Sequence, residues 1–448
     1  MNELIEFIND MLKSLGINDI EDITIEETRA FVEKLNAFLY TNYKEIGTTT
    51  ELDSEFEYIS NYHKFWKRNC EEILKPSIDF KQCEKMAEVF HNIYINNKEV
   101  FYSLYDKEGL RDEEICKIRF YTASQDFNGS REFKKYAELY KSDNSIFDKE
   151  YIFNKTKDFM RDISITIFSQ NDKRIKFAKE SAELLINLDC EPYELIRKKD
   201  NDLKKLREDL ISKVGTGFGN KKADMFLRDM VVLKIWNGCK NFDILDVASD
   251  INTMKVALRS GILKTEIPLV SSFLDVFCYQ YGLMDKWTAK AWREVWNIWK
   301  EKYPKECVEG PALMDYLLYM IIGKEFCNEY LCIYKGDECG HIFKWYDGRK
   351  KKCQICAKDK KNVGARVIKR VLPCQDEEGY ICIEKSKYVN GEKEGLKGIK
   401  ECPLKTVCQP ERKEFIKYNG PKSISILGET GWDTARVRTE EGGGGLMA

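Results

Sequence analysis

The sequence predicts a mainly α-helical protein carrying a cysteine-rich, metal-binding module near its C-terminus. Three observations carry that prediction. Apolar residues recur at helical spacing from Leu4 to Leu318. A glycine-bracketed turn, Gly217-Phe218-Gly219, interrupts the periodicity and restarts it at once. Nine of the 16 cysteines crowd between Cys327 and Cys408.

Taken in order, residues 1–48 read as short helices, with Leu4, Ile8, Met11 and Leu12 at helical intervals. Residues 49–150 are helical and aromatic-rich, broken near Lys75-Pro76 and around Asn128-Gly129-Ser130. Neither stretch carries recognisable chemistry: Cys70, Cys83 and Cys116 read as buried thiols, and His63 and His91 have no neighbouring partners. Phe159, Ile163, Ile167 and Phe168 form a further apolar face, and Ser169-Gln170-Asn171-Asp172 leads into the next helix. Trp287, Trp292, Trp296 and Trp299 are spaced by five, four and three, which suits one side of a helix and therefore core or interface. The last residues, Gly442 to Gly445 among them, read as a flexible tail. The expected division is an N-terminal helical extension (1–150), a helical hairpin domain (151–326), a cysteine-rich module (327–412) and a C-terminal segment (413–448).

A length of 448 residues, with 43% hydrophobic and 33% charged side chains, describes a globular chain with room for two or three domains. No apolar run approaches the roughly 20 residues that span a bilayer, and the N-terminus lacks a basic leader, so a cytoplasmic protein without membrane contact is expected. Reduced cysteines then point to metal and away from disulfides. The net charge of −2 hides an asymmetry. Residues 1–60 hold 14 acidic and 4 basic side chains, whereas residues 197–240 hold 12 basic and 6 acidic, and residues 342–373 hold 11 basic and 2 acidic. Local basic patches, not the total, decide contact with phosphate, so a nucleic acid partner is compatible with the balance.

The hairpin turn has a chemical reading. A helix that restarts directly after Gly219 leaves its first amides pointing outward, and together with the helix dipole these make an anion site. Lys221 and Lys222 stand at its mouth. The series Gly217-x-Gly219-x-Lys221-x-Ala223-Asp224, followed by Asp250-x4-Lys255-Val256-x2-Arg259-x-Gly261, resembles the helix-hairpin-helix of the endonuclease III and 8-oxoguanine DNA glycosylase superfamily. The resemblance covers about residues 155–330. It implies a DNA-binding hairpin (Gly217, Gly219, Lys222), a lysine nucleophile at Lys221 and a catalytic aspartate at Asp250. The interval from Lys221 to Asp250, 29 residues, is wider than the family's, with Asn237 to Asn241 as the added stretch and Asp246 as a competing aspartate. Lys221 also has a plainer reading, an exposed helix lysine that only touches phosphate. The Ser169-Gln170-Asn171-Asp172 junction is similar to the family element whose glutamine fills the gap left by an extruded base. Gln170 would take that DNA-binding role, or the junction is simply a helix N-cap.

Among the cysteines, Cys339-Gly340-His341 and Cys353-x2-Cys356 look like the two knuckles of a zinc ribbon. Cys332 and Cys339 are the nearest suppliers of the remaining ligands, with His341 or Cys374 as substitutes. Cys402-Pro403-Leu404-x3-Cys408 is similar to the end of the family's 4Fe–4S loop, for which Cys327 would be the first ligand and Cys382 or Cys374 would complete the set. Position 399 is isoleucine, so the family's internal CxxC is absent and the ribbon would be an insertion between first and last ligands.

The resemblance implies a DNA N-glycosylase with an AP-lyase step. Such an enzyme extrudes a modified base, the Lys221 amine attacks C1′ and displaces it, and Asp250 steadies the cationic sugar. Two other readings stand beside it: an N-glycosidase of a free modified nucleoside or nucleotide, and a non-catalytic DNA-binding component of a repair or defence complex. Partner proteins would dock on the N-terminal extension.

Overall fold

The computed structural model describes residues 74–125, 133–164, 172–213, 215–265, 281–327, 331–345, 351–371 and 402–408, with scattered positions such as 56–57, 381–382 and 436–437. Gln170, Cys374, most of the acidic N-terminal stretch and the glycine tail lie outside these residues. The described chain is mainly helical. Its helices are α1 Phe80–Asn97, α2 Asp112–Gln125, α3 Phe133–Ser142, α4 Lys149–Asn154, α5 Thr156–Asp162, α6 Asp172–Asn187, α7 Leu203–Ser212, α8 Asn220–Val232, α9 Ile251–Ser260, α10 Tyr281–Lys302 and α11 Gln354–Lys358. None among the described residues is long and apolar enough to cross a membrane.

Two hydrophobic cores organise them. In the first, α1 starts at Asp79, whose carboxylate caps the Gln82 amide at 3.1 Å. It buries Cys83, Met86, Ala87, Phe90 and Tyr94, a stripe at intervals of three and four. That stripe meets the tryptophans of α10, with Phe90 edge-on to Trp292 at 6.1 Å and stacked on Trp299 at 5.9 Å. Trp292, Trp296 and Trp299 are buried, and their indole N–H groups donate to the carbonyls of Thr253, Val308 and Glu306. The spacing of five, four and three thus served the core, as expected of one helix side. Helix α9 and the segment Leu317–Phe326 complete this core.

The second core gathers α2 through α8 around Phe120, Tyr121, Phe147, Phe159, Phe226 and Leu206. Residues 80–102 therefore belong to the first core and residues 115–147 to the second, so the stretch read as an extension is woven into both halves of the hairpin region. Cys83 and Cys116 are buried thiols, as their isolation in the sequence implied. A charge network holds α8 in place. Asp229 accepts from Arg228 at 2.6 Å, from Arg119 at 2.8 Å and from the Tyr105 hydroxyl at 3.1 Å, and Arg228 also pairs with Asp315.

The strands are few: β1 Phe56–Glu57, β2 Ser77–Ile78, β3 Leu263–Lys264, β4 Leu331–Gly336, β5 Ile342–Trp345, β6 Ala365–Val371, β7 Ile381–Cys382 and β8 Arg436–Val437. β1 pairs with β8 and β2 with β3. The remaining four form one sheet in the order β6-β4-β5-β7, with Cys332 opposite Trp345 and Tyr334 opposite Phe343. The Tyr334 and Phe343 rings stack 5.2 Å apart and centre a third, small core.

The segment Leu317–Phe326 winds as a wide π-helix that ends at Cys327. Gly323 permits its approach to α9: a Cβ there would stand 2.7 Å from the Asn252 Cβ. Wide turns of this kind recur at functional sites, and Asn252 adjoins Asp250.

Candidate functional site: a helical hairpin and a cysteine–histidine cluster

The hairpin forms as its sequence requires. α7 is capped by Asp202, whose carboxylate accepts from the Lys204 amide at 2.9 Å, and Arg207 reaches Asp224 at 2.9 Å to tie α7 to α8. Burial pushes the Asp224 carboxyl up to about 6 against the pull of Arg207. In the turn, Gly217 has φ +81°, and a Cβ there would lie 2.8 Å from both the Phe177 ring and the Ser124 carbonyl oxygen. Only glycine fits that position. Gly219 is different: it is the exposed N-cap of α8, has ordinary φ of −106°, and a Cβ would meet nothing within 4 Å. No side chain caps the first amides of α8, so Gly219, Asn220 and Lys221 form an open helix mouth.

The two lysines separate. Lys221 is exposed at the mouth. Lys222 turns inward, donates to the Ser124 carbonyl at 2.8 Å and lies over the Phe177 ring at 5.4 Å. Lys222, expected to contact DNA, has its ammonium at the C-terminal end of α2, where carbonyls lack helical partners.

Asp250 is the N-cap of α9. Its Oδ1 accepts from the Asn252 and Thr253 amides, both at 2.9 Å, and the Asp250 amide donates to the Thr253 hydroxyl at 2.8 Å. Asn252 Nδ2 donates to the other oxygen at 3.1 Å. Asp246, the competing aspartate, is paired with Arg293 at 2.6 Å. The added stretch before it folds back on the entry to α7, where Lys240 exchanges backbone bonds with Asn201 and Leu203. It therefore lengthens the interval without filling the site.

Lys221 stands on the second core and Asp250 on the first, and both act on a third group that sequence reasoning missed. Asp285, on the first turn and a half of α10, is pushed up to about 7 by burial; the Lys221 charge pulls it down and the Asp250 charge adds to the rise. A signal existed in the sequence. Asp285, Thr288, Trp292, Val295 and Trp299 continue one stripe at intervals of three and four, so an acid occupies an otherwise core-facing row.

In the C-terminal module the turn between β4 and β5 and the start of α11 bring Cys339, His341, Cys353 and Cys356 together, with ligand atoms within 4.8 Å of one another. Cys339 and Cys353 sulfurs lie 3.6 Å apart, and His341 Nδ1 lies 3.3 Å from the Cys356 sulfur. Tetrahedral coordination with metal–sulfur bonds of about 2.3 Å requires sulfur–sulfur edges of roughly 3.8 Å, so the set fits a metal ion. Gly336 makes the room: a Cβ there would collide with the Cys339 sulfur at 2.3 Å. Cys332, expected among the suppliers, is buried near the start of β4 in the same small core and is not one of the four clustered ligands. Lys351, Lys352, Lys358, Lys360, Lys361 and Arg366 are exposed around the cluster, while Lys344 is buried.

Cys327, Cys402 and Cys408 lie elsewhere, and among the described residues they do not form a close ligand group like the one above. All three pack in the first core with Leu404 and Val407, and the Cys327 carbonyl accepts from the buried Arg259 at 2.8 Å. Cys382 is described only as a strand position opposite Lys344. No family model, curated protein or solved structure matches the chain.

Proposed function

We propose that the chain is a DNA N-glycosylase with a lysine-dependent lyase step. The observation that carries this reading is the uncapped mouth of α8 with Lys221 exposed at it, and the charges of Lys221 and Asp250 both bear on the raised Asp285 carboxyl. An amine next to an anion-binding mouth suits attack on the C1′ of a nucleotide whose phosphate the mouth holds. In the proposed reaction the unprotonated Lys221 amine adds to C1′ as the base departs with the bond's electron pair and takes a proton. The adduct opens to a Schiff base, and loss of a C2′ proton expels the 3′ phosphate. Asp250, anchored by three hydrogen bonds, supports the positive charge at the sugar without moving. Exposed lysines of the ribbon would add sequence-independent phosphate contacts.

The donor set supports zinc at Cys339, His341, Cys353 and Cys356, in a closed structural site with no open position. In this reading Cys327, Cys402 and Cys408, which belong to the same core, would hold a 4Fe–4S cluster with a fourth ligand from Cys374 or Cys382. Bound there, such a cluster would brace the end of the Leu317–Phe326 segment.

Borohydride trapping tests the enzyme reading. The wild type should form a covalent adduct with a substrate or abasic duplex, Lys221→Gln should form none, and Lys222→Gln should still trap. A second reading, DNA binding without turnover, draws on one observation: both Asp250 oxygens already serve the cap of α9. Tight duplex binding with no adduct on any substrate would favour it.

A further inference from the structure

Helix α9 buries three polar residues in a row. Asn252, Lys255 and Arg259 follow one another at intervals of three and four, so they share one face of the helix, and none is more than 7% exposed. That face meets the Leu317–Phe326 segment, where Gly323 leaves room for Asn252 and the Cys327 carbonyl accepts from Arg259 at 2.8 Å. Polar groups so far from water need partners. For two of the three, the partners lead to the N-cap. Lys255 Nζ donates to Asn252 Oδ1 at 3.4 Å, and Asn252 Nδ2 donates to Asp250 Oδ2 at 3.1 Å. An ammonium can only donate and an ionised carboxylate can only accept, so the amide between them bridges in a single orientation. Cation, amide dipole and carboxylate are thereby aligned head to tail.

The two oxygens of Asp250 have different duties. Oδ1 accepts from the Asn252 and Thr253 amides, which is all that capping a helix asks of a side chain. Oδ2 takes no backbone donor, and among the described residues its partner is the Asn252 side chain. Asp250 itself is only half-buried, so a ligand can reach it, whereas Asn252 and Lys255 are closed off from solvent. Capping explains Oδ1 and leaves the buried row unexplained.

We propose that Asn252 and Lys255 are positioning residues of the candidate site: the Lys255 ammonium, acting through the Asn252 amide, fixes the direction of Asp250 Oδ2, the oxygen that faces the cationic sugar. The proposal rests on the glycosylase reading and deepens it by naming what holds the aspartate. Neither residue touches the substrate. Their effect is to fix a charge in advance of the reaction, so that no reorganisation is needed as positive charge develops at the sugar. Gly323 belongs to the same device, because the space it leaves lets Asn252 sit where it spans the two charges.

The test measures duplex affinity and single-turnover base release with the full-length protein. The probes are duplexes bearing 8-oxoguanine, uracil, hypoxanthine or xanthine. Asn252→Asp keeps the shape of the side chain and an acceptor for Lys255 but loses the N–H groups that meet Oδ2, and Lys255→Met removes the cation. Each should slow base release by about tenfold or more, the size expected for a lost hydrogen bond to a charged group, with duplex affinity little changed. Lys255→Arg should recover most of the rate that Lys255→Met loses, which a packing role for the long side chain would not require. Wild-type rates in Asn252→Asp and Lys255→Met, beside a slow Asp250→Asn, overturn the proposal and leave the glycosylase reading intact. So does a parallel fall of affinity and rate in which Lys255→Arg fares no better than Lys255→Met. Full base release by Asp250→Asn removes the aspartate's role and the proposal together. Wild-type protein that releases no base from any duplex overturns it as well, and borohydride trapping on an abasic duplex then decides whether the lysine chemistry survives.

Discussion

Replacing each glycine of the hairpin turn by alanine should separate folding from binding. At Gly217 the added methyl must adopt φ +81°, which costs an L-residue roughly 1–2 kcal/mol. It must also displace the Ser124 carbonyl oxygen or the Phe177 ring, each 2.8 Å away. The carbonyl belongs to α2 and already accepts from Lys222, so the overlap is relieved only by moving backbone, worth a further 1–3 kcal/mol or about that. Gly217→Ala should therefore lose about 2–5 kcal/mol. At Gly219 the backbone is ordinary and the space open, so alanine costs less than about 1 kcal/mol, mostly as a poorer N-cap. The same methyl, however, stands where a phosphate must approach the amides of α8. Urea unfolding followed by tryptophan fluorescence measures the first effect, and fluorescence anisotropy with labelled duplex measures the second. Gly217→Ala should unfold at lower urea, whereas Gly219→Ala should unfold normally and bind several-fold more weakly. A Gly217→Ala midpoint equal to wild type, or a Gly219→Ala loss of the same size, would refute the packing argument.

Other substitutions separate roles in the same way. Asp250→Asn should retain duplex affinity and lose base release, while Asp246→Asn, which only unpairs Arg293, should release base at near wild-type rates; the reverse pattern in a single-turnover assay would move the role to Asp246. Cys356→Ser should lose the bound ion, read by elemental analysis, whereas Cys332→Ala should retain it at some cost in stability. Asp229→Ala leaves Arg228 and Arg119 without their shared carboxylate, and loss of one partner from a buried ion network should cost about 3–5 kcal/mol in chemical denaturation. Asp285 has a pH signature. Its carboxyl is raised in the folded chain from 3.8 to about 7, so folding is favoured while the group keeps its proton and that advantage is lost as pH rises through this window. Unfolding midpoints of Asp285→Asn should thus gain on wild type between about pH 4 and pH 7 and run parallel above it.

The helical class, the hairpin and the knuckle cysteines were legible because each depends on local spacing. Gly217 and Gly219 look alike in the sequence, yet one is held by a clash with α2 and α6 and the other by nothing, a distinction that exists only once distant helices dock. The same holds for Lys221 and Lys222: neighbours on a helix point about 100° apart, and only the position of Ser124 decides which one turns inward. His341 was named as a substitute and lies within the cluster of Cys339, Cys353 and Cys356, whereas Cys332 was nearer the front of the reading and lies outside it. Distance along β4 is the reason: Cys332 lies near the start of the strand, whereas the knuckle begins only beyond Gly336, which touches the Cys339 sulfur. Asp285 was hidden for a different cause. Its partners are 35 and 64 positions earlier in the chain, so no local pattern marks it beyond an acid in an apolar row.

The metal-binding sheet leaves the first core at Cys327 and the chain is back in that core at Cys402, with Leu404 and Val407 sealing the return. Both ends of the module are thus anchored in one core that contains none of the four clustered ligands. Stripping the metal should loosen a closed loop and leave its host standing, because the cost of keeping a flexible loop's ends together grows only slowly with its length. The module is in this sense a graft: it could be exchanged for a short polar linker, and the twin-cored helical body would remain to be assayed alone.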